Sequence, residues 1–194
     1  MLDADSIETA LWLKTLDRGH LVMPDDVEGY SGALVAAVRH RELVRVQRGG
    51  TDMRGDETRP ARLTVWVSCC NGDTHIWRVC KALTASRSKI TTIAQRLAIS
   101  AGAWIALAGD VRYCTERTKY VIHGATFHEN REAENEKRVK YLVERTGGHD
   151  AFWAEKLNGE KHEYKFGADE AIELGVAHEI IDEERMRGLW VPVE

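Results

Sequence analysis

The run KITTIAQRLAISAGAWIALAGD, Lys89 to Asp110, decides how the chain is read. Ile90 to Ile93 is β-branched throughout, the composition of a strand. Ala101 to Ala108 is rich in small apolar residues and reads as a short helix. A short connection joins them, and Ser100 stands where the helix begins. A strand feeding a helix this directly is one β-to-α step of a parallel sheet. The first N–H groups of a helix have no intrahelical acceptor, so a serine at this junction lies beside donors able to hold an oxyanion. The flanking Ala101 and Gly102 leave space for a substrate backbone. A serine that merely caps a helix occupies the same position, so the segment alone leaves both roles open.

Working outward, the same step recurs. Leu63, Val65 and Val67 alternate with Thr64 and Trp66 and run into the turn SCCNGD, Ser68 to Asp73. Ile76, Val79, Cys80 and Leu83 then follow at i, i+3, i+4 and i+7, an amphipathic helix. Earlier still, a short strand at Leu21 to Met23 precedes Asp25, Asp26 and a helix presenting Val27, Leu34, Val35 and Val38 on one face. A short helix over 5–14, capped by Asp5 or Ser6, opens the chain. The stretch 48–62 is rich in charge and glycine and reads as a mobile surface loop.

Downstream, Val111 to Tyr113 and Lys119 to Ile122 read as two short strands, the second ending at His123. A charged helix spans Arg131 to Arg145, with its apolar face confined to Val139, Leu142 and Val143, and stops at Gly147 and Gly148. A short helix at Asp150 to Leu157, a loop, a further helix in GADEAIELG and a closing strand at His178 to Ile181 complete the pattern. Repeated strand-then-helix units predict an α/β fold with a largely parallel sheet, in a single domain over 1–194.

Composition narrows the function. The 194 residues are 43% hydrophobic and 30% charged, as expected of a soluble globular protein. The 27 basic and 31 acidic residues are interspersed, for a net charge of −4, and leave no broad basic field for nucleic acid. No apolar run approaches the roughly 20 residues that cross a bilayer, and the acidic start MLDADSIETALWLK does not suit a signal peptide. A cytoplasmic protein without membrane partners is expected. Cys69, Cys70, Cys80 and Cys114 lack metal-ligand spacing and read as free thiols. His75, His128, His149 and His162 read as surface or packing residues. Neither metal nor cofactor is expected.

The stretch from Leu63 to Ile181 resembles the ClpP family of self-compartmentalising peptidases, which share a fold with the crotonases. VWVSCCNGDTH stands where that family has a strand and an Asn-Ser-Pro-Gly-Gly turn. IAQRLAISAGAWIALAGD resembles its nucleophile segment, RTKYVIHGA the strand ending in the catalytic histidine, and GADEAIELGVAHEII the closing helix and strand. HLVMPDDVEGYSGALVAAV is similar to an earlier strand and helix. The resemblance implies a ClpP/crotonase-like α/β fold, a serine endopeptidase needing no cofactor, a homo-oligomeric ring and an AAA+ unfoldase as partner.

Residue by residue, it makes Ser100 the nucleophile and His123 the general base, with Gly72 and Ala101 supplying the oxyanion-hole N–H groups. The third triad position, aspartate in many members, falls on Asn158 in EKLNGEKHEYKFGADEA, with Glu160 and Asp150 as alternatives. An asparagine holds an imidazole tautomer but brings no full charge. Cys70 and Asn71 replace the usual proline and first glycine of the turn. The handle region, 124–147, is shorter than in the family, as is the N-terminal segment, which weighs against a double ring and an unfoldase partner. A phage-type head maturation peptidase fits this abbreviated form. A catalytically weak or inactive structural or regulatory subunit is the alternative that the altered turn and Asn158 favour. A crotonase-type acyl-CoA enzyme is a further one, although no basic site for the adenine phosphates stands out.

Overall fold

A computed structural model of the chain describes residues 15–16, 19–23, 31–47, 62–68, 76–125, 130–159 and 162–190. The described strands form two sheets. In the first, β1 (His20–Val22), β2 (Arg62–Val67), β3 (Lys89–Ala94), β5 (Val111–Cys114) and β8 (Glu179–Ile180) lie side by side in that order, every pair parallel. The second holds β4 (Leu97–Ile99), β6 (Lys119–His123) and β7 (Glu163–Phe166), with β4 parallel and β7 antiparallel to β6. The helices are α1 (Ser31–Gln47), α2 (Ile76–Thr84), α3 (Ala101–Leu107), α4 (Arg131–Thr146), α5 (Asp150–Asn158), α6 (Ala168–Glu173) and α7 (Glu183–Leu189). None of the described helices is long and apolar enough to cross a membrane.

The central strands of the parallel sheet are buried over successive residues, as strands covered on both faces must be. β2 and β3 each bury their last three residues in a row. The stripe Ile76, Val79, Cys80 and Leu83 of α2 is buried as its spacing predicts. The core centres on α3, all of whose residues are buried, and takes in Trp104, Trp153, Leu63 and Leu142. Cys80 and Cys114 are free and buried, and burial raises their thiols to about 12 and about 11.

Chain crossings between the two sheets place the chemistry. β3 leaves the first sheet at Ala94 and starts the second as β4; β5 leaves at Cys114 and returns as β6. Both crossings are sealed by the wholly buried Thr118, whose hydroxyl donates to the Ala94 carbonyl at 2.8 Å, and by Lys119 N–H on the Arg96 carbonyl at 2.9 Å.

The second sheet is where sequence reading falls short. β4 was expected as a mere connection, and its three residues are too few to carry a period. β7 was expected as a loop, although Glu163 and Lys165 alternate with Tyr164 and Phe166; the charged residues around it mask the alternation. α7 was not expected at all: its only packing face is the partly buried pair Met186 and Leu189, set in a charged run against Trp66, Ile93 and Ile181, and it is started by Asp182, whose carboxylate accepts from Arg185 N–H at 2.7 Å. The proposed opening helix over 5–14, Val27 and all of the loop expected over 48–62 except its last residue lie outside the described residues; that last residue, Arg62, is the first of β2.

Candidate active site

Ser100 follows β4 directly. Ile99 pairs with Val121, and Ser100 N–H donates to the Val121 carbonyl at 2.9 Å, so the nucleophile candidate is tied to the strand carrying His123. The chain then reverses: Ser100 has φ 52° and ψ −112°, a conformation that side-chain-bearing residues rarely adopt. Its carbonyl already accepts from Ala103 and Trp104, which starts α3, yet its hydroxyl makes no capping bond to the helix. The sharp turn instead sends the hydroxyl outward. Small residues two positions away on each side, buried Ala98 and Gly102, allow strand and helix to meet this closely.

His123 ends β6. Along that strand Tyr120 and Ile122 point into the core, so Val121 and His123 share the opposite face. The imidazole reaches across to Ser100, with Nε2 at 2.8 Å from Oγ. Its other nitrogen, Nδ1, lies 2.8 Å from the Gly124 carbonyl oxygen. A carbonyl can only accept, so Nδ1 carries the proton and Nε2 presents its lone pair to the serine hydroxyl. That is the protonation pattern of a general base toward serine.

The backbone beyond the histidine is held at three points. Arg138 Nη1 donates to the His123 carbonyl at 2.8 Å, Gly124 N–H donates to the His162 carbonyl at 2.8 Å, and Ala125 N–H donates to Asn135 Oδ1 at 2.7 Å. Gly124 is demanded by space: a Cβ there would overlap the Leu157 carbonyl oxygen and press on the Asn135 amide.

Ala101, the first residue of α3, has an N–H without an intrahelical acceptor, beside Ser100. Gly72, Asn71 and Cys70 lie outside the described residues, as do Glu160, His75 and His128. Asp150 is exposed in the first turn of α5. The side chain of Asn158 accepts, through Oδ1, from Asn135 Nδ2 at 2.8 Å; among the described residues neither ring nitrogen of His123 bonds to it. His149 is exposed, and His162 is in contact with the Arg131 guanidinium.

Gly124, Asn135 and Arg138 escaped the sequence reading. The two helical residues stand in the charged run REAENEKRVKYLVER, where nothing separates a buried polar side chain from a solvated one, yet they are 1% and 6% exposed. The apolar face expected for α4 is partly right: Val139 and Leu142 are buried, but the same face carries Asn135 and Arg138. The signal that could have found Gly124 is its place directly after the strand-end histidine.

No protein-family model matches the chain, and no curated protein matches it in sequence. Among solved structures, ClpP1 of Listeria monocytogenes, in a form bearing an asparagine-to-aspartate substitution, matches 90% of this chain and 98% of its own. The TM-score is 0.69 at 15% identity, and the fold is ClpP-like: mixed α/β with a mostly parallel five-stranded sheet.

Proposed function

We propose that this chain is a serine endopeptidase acting on peptides or unfolded protein. The observation that carries the reading is the Ser100 Oγ to His123 Nε2 hydrogen bond at 2.8 Å, made from a backbone with a positive φ that serine rarely adopts. Such strain is costly for a serine with only a structural role, because its hydroxyl caps nothing.

In the proposed reaction His123 Nε2 takes the Ser100 proton as Oγ attacks the peptide carbonyl. The resulting oxyanion is held by the Ala101 N–H and, as the family resemblance implies, by that of Gly72. The imidazolium then gives its proton to the leaving amine as the C–N bond breaks, leaving an acyl ester on Ser100. Water, deprotonated by the same imidazole, attacks the ester; Oγ leaves and recovers the proton, freeing the acid product. The chemistry needs no metal or cofactor. Asn158 supports the base at one remove, through Asn135. Assembly into a homo-oligomeric ring, in the cytoplasm, belongs to this reading as the ClpP likeness suggests it, and service in phage head maturation fits the short region 124–147.

The second reading, a weakly active or inactive subunit, draws support from the imidazole's partner. A neutral carbonyl fixes the tautomer but does not stabilise imidazolium as a carboxylate would. A fluorophosphonate probe separates the two. The peptidase reading expects covalent labelling of the wild type, abolished in Ser100→Ala and reduced at least about 10³-fold in His123→Ala. Absence of wild-type labelling in every assembly state leaves the subunit reading.

A further inference from the structure

We infer that Asn135 and Arg138, three positions apart on α4 and therefore on one face, are positioning residues that aim the His123 imidazole, with Asn158 as the outer end of the same clamp. The consequence for catalysis rests on the peptidase reading above; the clamp itself does not.

Three successive backbone groups are involved. The imidazole takes its orientation from the Gly124 carbonyl, so the aim of Nε2 is only as good as the placement of the peptide between residues 124 and 125. That peptide is held from both sides: Arg138 holds the His123 carbonyl before it, and Asn135 Oδ1 holds the Ala125 N–H within it. Asn135 also donates through Nδ2 to the Leu157 carbonyl at 3.2 Å and to Asn158 Oδ1 at 2.8 Å, anchoring the clamp to the end of α5. Arg138 reaches the nucleophile side as well, with its guanidinium carbon 5.9 Å from the centre of the Trp104 ring, one turn into the helix that Ser100 opens. Tyr141, on the next turn of α4, donates to the Trp104 carbonyl at 3.3 Å. One helix thus sets the strand end bearing the base and the helix start bearing the nucleophile.

Two buried polar side chains are expensive unless their bonds are used, and the partners of Asn135 are all within 3.2 Å. The arrangement differs from a direct third triad member. Position 158 touches the amide of Asn135, and its effect reaches the imidazole only through the 124–125 peptide.

The test reads the histidine as well as the reaction. In ¹⁵N-histidine-labelled full-length protein, with the His123 signals identified by their loss in His123→Gln, the wild type should show a single tautomer protonated at Nδ1. Asn135→Leu and Arg138→Met should give mixed tautomers and probe labelling slowed roughly ten- to a hundred-fold. Arg138→Lys, which keeps a donor, should restore most of the rate. Asn158→Asp keeps the acceptor for Asn135 and should label within about two-fold of wild type, whereas exposed Asn158→Ala loses a few-fold. Should Asn135→Leu fail to fold, Asn135→Asp retains the acceptor for Ala125, removes the amide donor and should still blur the tautomer.

The clamp is overturned if the folded clamp variants keep one tautomer and the wild-type rate. A gain of ten-fold or more in Asn158→Asp would overturn it too, since position 158 would then act on the base directly. A wild type that never labels would sink the peptidase reading, while the tautomer measurement would still decide the clamp.

Discussion

The two ends of α3 are built in opposite ways. At its start, Ser100 has a positive φ, its side chain caps nothing, and the N–H groups of Ala101 and Gly102 have no intrahelical acceptor. At its finish, carbonyls are met by two arginines. Arg145 Nε donates to the Leu107 carbonyl at 2.8 Å, and Arg145 Nη2 and Arg112 Nη1 both donate to the Gly109 carbonyl. Arg112 goes on to the Arg145, Gly175 and Val176 carbonyls at 2.9, 2.9 and 3.0 Å, gathering the ends of α4 and α6 at the same point. Cations suit helix C-termini, where unpaired carbonyls concentrate negative charge. The difference teaches that strain at one end of a helix is tolerated when the other end is over-determined.

The most severe way to break this arrangement is at Arg112. Burial, with Arg145 adding repulsion, lowers its guanidinium to about 10, so it is held in place by carbonyls against unfavourable terms. Arg112→Met fills similar space and strands the carbonyls it served. A loss of about 3–5 kcal/mol in urea-unfolding free energy is expected, with probe labelling lost in proportion to the unfolded fraction. A loss under about 1 kcal/mol would mean that this end of α3 does not anchor the fold.

The opposite end should respond in the opposite direction. Ser100→Gly removes no capping bond and relieves a backbone conformation that only glycine adopts freely. Glycine's greater freedom in the unfolded chain offsets part of the relief, so a net stabilisation of about 1 kcal/mol is expected alongside complete loss of labelling. Urea denaturation of the two proteins checks it. Destabilisation would indicate that the serine earns its place structurally.

The contrast also marks what sequence could and could not convey. The parallel sheet and the amphipathic α2 were legible because apolar spacing reports burial directly: Ile76, Val79, Cys80 and Leu83 are all buried. Ser100 and His123 were singled out through the order of segments around them, and their side chains do meet. The Ser100 backbone strain, by contrast, has no compositional signature, and two of the second sheet's three strands, β4 and β7, are too short or too charged to show a period. Asn135, Arg138, Arg112 and Arg145 act on backbone N–H and carbonyl groups, which nearly every residue possesses, so no partner residue type betrays them. Polar side chains that serve the backbone are written in geometry alone.

The smallest expected effect tests the arginine end through pH. His178 Nδ1 accepts from the Arg112 N–H at 3.3 Å, and its ring feels burial first, then the positive charges of Arg112 and Arg145, all of which lower its proton affinity below the ordinary 6.5. In the unfolded chain it regains that affinity. Above about 6.5 both states are neutral and the native contact is intact; as pH falls the unfolded chain takes up the proton first, and stability is lost until the native imidazole is protonated too. The ring is largely solvent-exposed, so the effect is modest. His178→Gln should therefore flatten the acid side of the stability profile just below 6.5, measured by urea midpoints at stepped pH. An unchanged slope would mean that the paired guanidiniums are screened from this surface, and that their field acts only on the carbonyls at the end of α3.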